Sequence, residues 1–129
     1  MRFIDTDAAL PEGTLVLDST QDVTRLSAEL VAALARHSSV ALHFTRWTDG
    51  RGYSQAVLLR ARLGYTGEII ASGDVLADML PLLRRCGFSA VQLRADQRLE
   101  SAQRALGYFD DSLAHVYQRS TLVPPVAAT

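Results

Sequence analysis

The densest group of residues able to do chemistry is Trp47-Thr-Asp-Gly-Arg-Gly-Tyr-Ser54. Two glycines permit positive φ or a close backbone approach, Arg51 carries a permanent charge, and Ser54 is a good helix N-cap. If a helix starts there, its unpaired N–H groups face whatever the loop faces, so an anion is the natural ligand. The candidate ligand-binding set is Asp49, Gly50, Arg51, Gly52, Tyr53 and Ser54, joined by Asp74 from a second polar loop. Asp18, Asp74 and Asp96 are the candidate acid-base residues. The competing reading is structural: Asp49 hydrogen-bonds the turn, Arg51 pairs with a carboxylate and Trp47 packs beneath the loop. Nucleotide motifs fit poorly, because Gln55 stands where GxGxxG needs its last glycine. All 13 basic side chains are arginine, which excludes a phosphate-loop lysine, Schiff-base chemistry and a lysine general base.

The remaining reactive residues read as structural. Cys86 lies near a helix C-terminus on the face of Met79, a core position, although Arg85 beside it favours thiolate. His43 sits inside an apolar run, as a core or interface histidine does. His37 and His115 stand near helix ends without a partner at metal-ligand spacing, so no metal site is expected. No serine occupies a GxSxG elbow, and Asp74 and Asp78 read as an N-cap and a first-turn acid.

Regular elements must hold these residues. Four short apolar runs, Thr14–Asp18, Val40–Phe44, Glu68–Ala71 and Ala90–Arg94, are strands apolar on both parities, as in a buried parallel sheet. Between them the spacing predicts helices over 22–36 (capped by Ser19, Thr20 or Asp22), from Ser54 to Gly64, and from Asp74 to Gly87 with a kink or shortening at Pro81. Leu99, Ala102, Leu106, Phe109, Leu113 and Val116 form a final seam, either one long helix or two broken at Gly107. The first dozen residues read as a lead-in that turns at Pro11-Glu12-Gly13. Four consecutive βα units call for right-handed crossovers and a parallel four-stranded sheet. Sequential strand order gives a half-TIM-barrel; a reversed order gives a flavodoxin-like or Rossmann-like three-layer sandwich. A half barrel leaves one apolar face and two edges open, which predicts a homodimer. Residues 1–121 are then a single α/β domain and 122–129, with Pro124 and Pro125, a disordered tail.

At 129 residues and 48% hydrophobic composition, one soluble domain with its own core is expected. The lone cysteine excludes an intramolecular disulfide. A net charge of −1 argues against nucleic acid, since phosphate neutralisation needs a cationic surplus. No apolar run has membrane-span length, and Asp5 and Asp7 replace the basic start of a secretory signal, so a cytoplasmic location is expected. No cofactor is specified.

Trp47 to Ser54, with Leu58-Leu-Arg60, Gly64-Tyr-Thr-Gly-Glu68, Gly73-Asp-Val-Leu-Ala-Asp78 and Leu83-Arg-Arg-Cys-Gly-Phe88, resembles bacterial domain-of-unknown-function family 934 over about Val40 to Gln118. The family usually carries phenylalanine in place of Trp47 and glutamine in place of Met79. Its members are often encoded beside assimilatory sulfite or nitrite reductase genes. The resemblance therefore implies an accessory or interaction protein of sulfur or nitrogen assimilation, with reductase components as partners. The alternative is a small enzyme or binding module that takes an anionic group at Asp49-Gly50-Arg51-Gly52.

Overall fold

A computed structural model describes residues 1–18 and 28–108. Alternation of side chains decides the layers. In β3 (Ser39–Phe44), Val40, Leu42 and Phe44 face one side and are buried with the helices, whereas Ser39, Ala41 and His43 face the other. The same division runs through β2 (Leu15–Asp18), β4 (Glu68–Gly73), β5 (Ala90–Gln92) and an N-terminal strand, β1 (Arg2–Ile4). All pair in parallel, in the order β1-β5-β4-β3-β2. The four strands expected from the sequence thus stand side by side in sequential order. The correction is the fifth: Arg2–Ile4, read as a lead-in, adds beyond β5 instead of pairing with its sequence neighbour. The reversed, sandwich-like order is not the one found.

Every described helix packs on the Val40–Leu42–Phe44 face. Leu34 comes from α1 (Ala28–Arg36), Ala56 from α2 (Arg51–Val57), Leu80 and Leu83 from α3 (Leu80–Cys86), and Ala102 from α4 (Leu99–Tyr108). The other face carries Ala41, Ile70 and Ala90, all inaccessible, with Leu10 and Ile4 packed on them. Leu10 belongs to the connection from β1 to β2, which crosses from one edge of the sheet to the other. Gln92 Nε2 donates to the carbonyls of Asp5 and Ala8 at 2.9 and 2.8 Å, and the Thr14 and Ser39 hydroxyls meet at 2.7 Å. The apolar centre of the face, expected to be open for a second copy, is closed by the chain itself.

Helix limits also depart from expectation. Helix α2 starts at Arg51 with Gly50 as its cap, so Ser54 lies inside it. Asp49 explains the earlier start, because its Oδ1 accepts the Arg51 amide at 3.0 Å and organises the turn. The helix then widens into a π-helical turn, Leu58–Arg62. This turn delivers the half-buried Arg60 to three carbonyls: Gly87 at 2.9 and 3.0 Å, Tyr65 at 3.0 Å and Gly67 at 2.6 Å. Gly87, at φ 109°, ends α3 in the left-handed conformation, and a Cβ there would lie 2.7 Å from Arg60 Cγ. Asp74 caps no helix: a 3₁₀ turn, Ala77–Met79, precedes α3, and Pro81 sits harmlessly in the first turn of α3 instead of kinking it. Helix α4 passes through Gly107 to Tyr108. The caps at Ser19, Thr20 and Asp22, His115, the seam from Phe109 onward and the 122–129 tail lie outside the described residues.

Candidate functional site

The carboxyl ends of the parallel strands are where loops gather polar residues, as in open parallel sheets generally. After β3 the chain turns at Arg46–Asp49, closed by the Asp49 amide donating to the Arg46 carbonyl at 3.0 Å. Arg51 then folds back on Asp49, with Nε to Oδ1 at 3.0 Å and Nη2 to Oδ2 at 2.8 Å. Its guanidinium is held further in the charged form by that carboxylate. Gly50, Arg51 and Ser54 are exposed. Gly52 turns the other way: a Cβ would lie 2.6 Å from Phe44 Cζ, so the glycine admits the ring. Tyr53 meets Phe44 edge-on, with centroids 5.5 Å apart. The structure therefore brings Asp49, Gly50 and Arg51 together at the surface and commits Gly52 and Tyr53 to the core.

Asp74 ties this loop to the next ones. Its amide donates to the Phe44 carbonyl at 2.8 Å, its Oδ2 accepts the Trp47 amide at 2.7 Å, and its Oδ1 accepts Arg94 Nη1 at 2.6 Å. Arg94 also grips Asp96 through Nε at 2.6 Å and Nη2 at 2.8 Å. Charge-assisted bonds from Arg94, then the Trp47 amide, hold the Asp74 carboxyl below the usual carboxylate range. The same arginine lowers Asp96 to about 2. Trp47 itself is 51% exposed, so it does not pack under the loop as the structural reading of the sequence held. The rim presents an exposed indole on a backbone fixed by a carboxylate, which is fixed in turn by an arginine.

His43 is exposed on the face opposite the helices, although its β3 neighbours are buried. Of the two readings expected for it, core or interface, the exposure excludes the core one. In register it lies opposite Asp18 on one side and Ser72 on the other. Sequence reasoning missed this row because its members are 25 and 29 residues apart; the alternation within β3 was the available signal. His37 is structural, its Nδ1 lying 2.6 Å from the Gly13 carbonyl. Cys86 is half-buried, and burial raises its thiol pKa against the opposing effect of Arg85. A groove of about 500 Å³ between α1 and the Leu63–Gly67 loop, lined by Val31, Leu34, His37 and Tyr65, lies at the opposite end of the sheet. Among the described residues no three His, Cys, Asp or Glu side chains are grouped to hold a metal, and no helix is long and apolar enough to cross a membrane.

The family model described as "Bacterial protein of unknown function (DUF934)" matches residues 14–126. No curated protein and no solved structure matches the chain.

Proposed function

This chain belongs to the DUF934 family of bacterial proteins, and we propose that it acts by docking, as an accessory protein that binds another protein through the rim around Trp47. The carrying observation is the exposed indole on an anchored loop. Trp47 is half-exposed while its amide is locked to Asp74 and Asp74 to Arg94. Tryptophan and arginine are the residue types most enriched at interface hot spots, and a pre-ordered loop loses little entropy on binding. Arg46, exposed beside Trp47, suits a partner with an apolar pocket rimmed by carboxylates. The anion reading has less support, because the forks of Arg51 and Arg94 are each turned onto carboxylates of this chain. The partner we propose is the one the family resemblance implies, a component of assimilatory sulfite or nitrite reductase. A homodimer is compatible with the docking reading at the rim or along β2, an edge of the sheet, but not across the face that Leu10 covers.

The test is titration of the purified protein with purified sulfite reductase, read by sedimentation velocity and by emission of the single tryptophan. A saturable complex weakened at least tenfold by Trp47→Ala, with unchanged circular dichroism, is expected. Absence of a complex at tens of micromolar rejects the reductase as partner. Equal binding by Trp47→Ala rejects the rim.

A further inference from the structure

Residues 1–13 form a module joined to β2 by one turn. Strand β1 pairs with β5 through three residues, Arg2 opposite Ala90, Phe3 opposite Val91 and Ile4 opposite Gln92. The Arg2 amide donates to the Ser89 carbonyl at 2.9 Å, and its side chain reaches Glu68 of β4, with Nε to Oε2 at 2.9 Å. Gln92 holds the carbonyls of Asp5 and Ala8, and Leu10 lies on Ala41, Ile70 and Ala90. Among the described residues, the hydrogen bonds of residues 1–10 run within the segment or to Glu68, Ser89 and β5, and none joins it to β2. The segment is tied to the strands it covers, not to the strand it leads into.

The joint is the turn Pro11-Glu12-Gly13-Thr14. The Thr14 amide and hydroxyl both donate to the Pro11 carbonyl, at 3.1 and 2.6 Å. Gly13 has φ 81° and Glu12 a negative φ, which makes the turn type II, with glycine at the one position that needs the left-handed region. Nothing lies within 4 Å of a Cβ built at Gly13, so conformation and not space calls for the glycine. The rest of the turn suits an extended chain equally well, since Pro11 fixes φ near −65° and biases Leu10 before it to extended backbone. Straightened, the four residues would span about 10 Å instead of under ~7 Å and would carry the segment away from its own sheet. They would leave at the β2 edge, where Val16 is 54% exposed.

We propose that residues 1–13 exchange between two copies of this chain, so that β1 of each lies beside β5 of the other and Leu10 of each covers the other's helix-free face. The occupant is a second copy because the segment finds the same partners whichever molecule supplies them. The exchanged dimer keeps every contact of β1 and Leu10 and differs from two monomers in two respects: both turns are open, and the two β2 edges, with Val16, come together. The bonds of the closed turn favour the monomer in dilute solution, and mass action favours the dimer as concentration rises. Weakening a contact that both forms share leaves the equilibrium between them unchanged. Straining the closed turn shifts it, and the relief counts twice because each dimer opens two turns. This dimer does not involve the Trp47 rim.

The test is light scattering on a sizing column after incubation of the full chain at millimolar concentration. The wild-type protein should give monomer and dimer that interconvert slowly after dilution, because exchange requires β1 to leave β5. Gly13→Ala, which strains only the closed turn, should tighten the dimer at least tenfold. Leu10→Ala and Gln92→Ala should speed the interconversion and leave the dimer constant within twofold, and Trp47→Ala should behave as wild type. Exchange itself is read by mixing an Arg2→Cys chain with an Ala90→Cys chain, both carrying Cys86→Ser to remove the native thiol. Positions 2 and 90 are register partners, so a disulfide-linked dimer forms where β1 of one chain lies beside β5 of the other. Arg36→Cys in place of Arg2→Cys should give none. Wild-type and Gly13→Ala proteins that both stay monomeric, a dimer constant unmoved by Gly13→Ala, or a dimer without the 2–90 link overturns the proposal.

Discussion

Replacing Gly52 with alanine tests whether this glycine serves a ligand or the core. The added Cβ would stand 2.6, 2.8 and 3.2 Å from Cζ, Cε2 and Cε1 of Phe44. That ring cannot easily yield, because it is buried and contacted by Tyr53 at 5.5 Å and by Phe88 at 6.0 Å between centroids. Overpacking of such a site costs about 2–3 kcal/mol. Alanine recovers about 1 kcal/mol of that through its helix propensity, since Gly52 lies in the first turn of α2. The net loss is then ~1–2 kcal/mol, a fall in Tm of roughly 4–8 °C for a chain of 129 residues. Gly50→Ala is the internal control. Nothing lies within 4 Å of a Cβ at position 50 and its φ is −79°, so its cost should stay under about 0.5 kcal/mol.

Thermal melting followed by circular dichroism measures both, and a double-mutant cycle identifies the cause. In a Phe44→Leu background, where the ring is gone, the overpacking cost should vanish while the helix gain remains, so the Gly52→Ala penalty should disappear, giving a coupling of ~2–3 kcal/mol. A Gly52→Ala protein as stable as wild type, or an equal penalty in both backgrounds, would refute the packing argument and return Gly52 to the candidate ligand loop.

Arg60→Met keeps the aliphatic stem but removes the donors to the Gly87, Tyr65 and Gly67 carbonyls; urea denaturation should show a loss of ~3 kcal/mol, and Arg60→Lys about 2. A loss below ~1 kcal/mol for Arg60→Met would mean that water replaces the guanidinium at no cost. The Asp74 and Asp96 carboxyls are depressed in the folded protein, Asp96 to about 2. Each stabilisation is thus complete above the unfolded value near 3.9 and is lost as pH falls through the folded value, which for Asp96 is about 2. Emission of Trp47 should change in that window, since Asp74 holds its amide. Constant emission from pH 5 to 2, or an unchanged transition in Asp74→Asn, would refute the link.

What the sequence revealed depended on whether an interaction is local. The four strands and the sequential βα order were legible because each element carries its own apolar run and its own stop signal. Strand β1 was not, because Arg2–Ile4 is three residues long and pairs with β5, almost ninety positions away. The charged loop shows the same division. Asp49 with Arg51 and Arg94 with Asp96 are both spaced i, i+2, and both close into ion pairs. That spacing was a local signal that these arginines would be matched internally. Arg60 gave none, since its role depends on a π-helical turn that presents it to three distant carbonyls. The row Asp18, His43, Ser72 has no local signature, yet its logic is simple once strand order is known. Sequential parallel strands with helices on one face leave a second face, and only a connection from the far edge can cross it. That connection must run diagonally, which is what lays Leu10 on Ala41, Ile70 and Ala90.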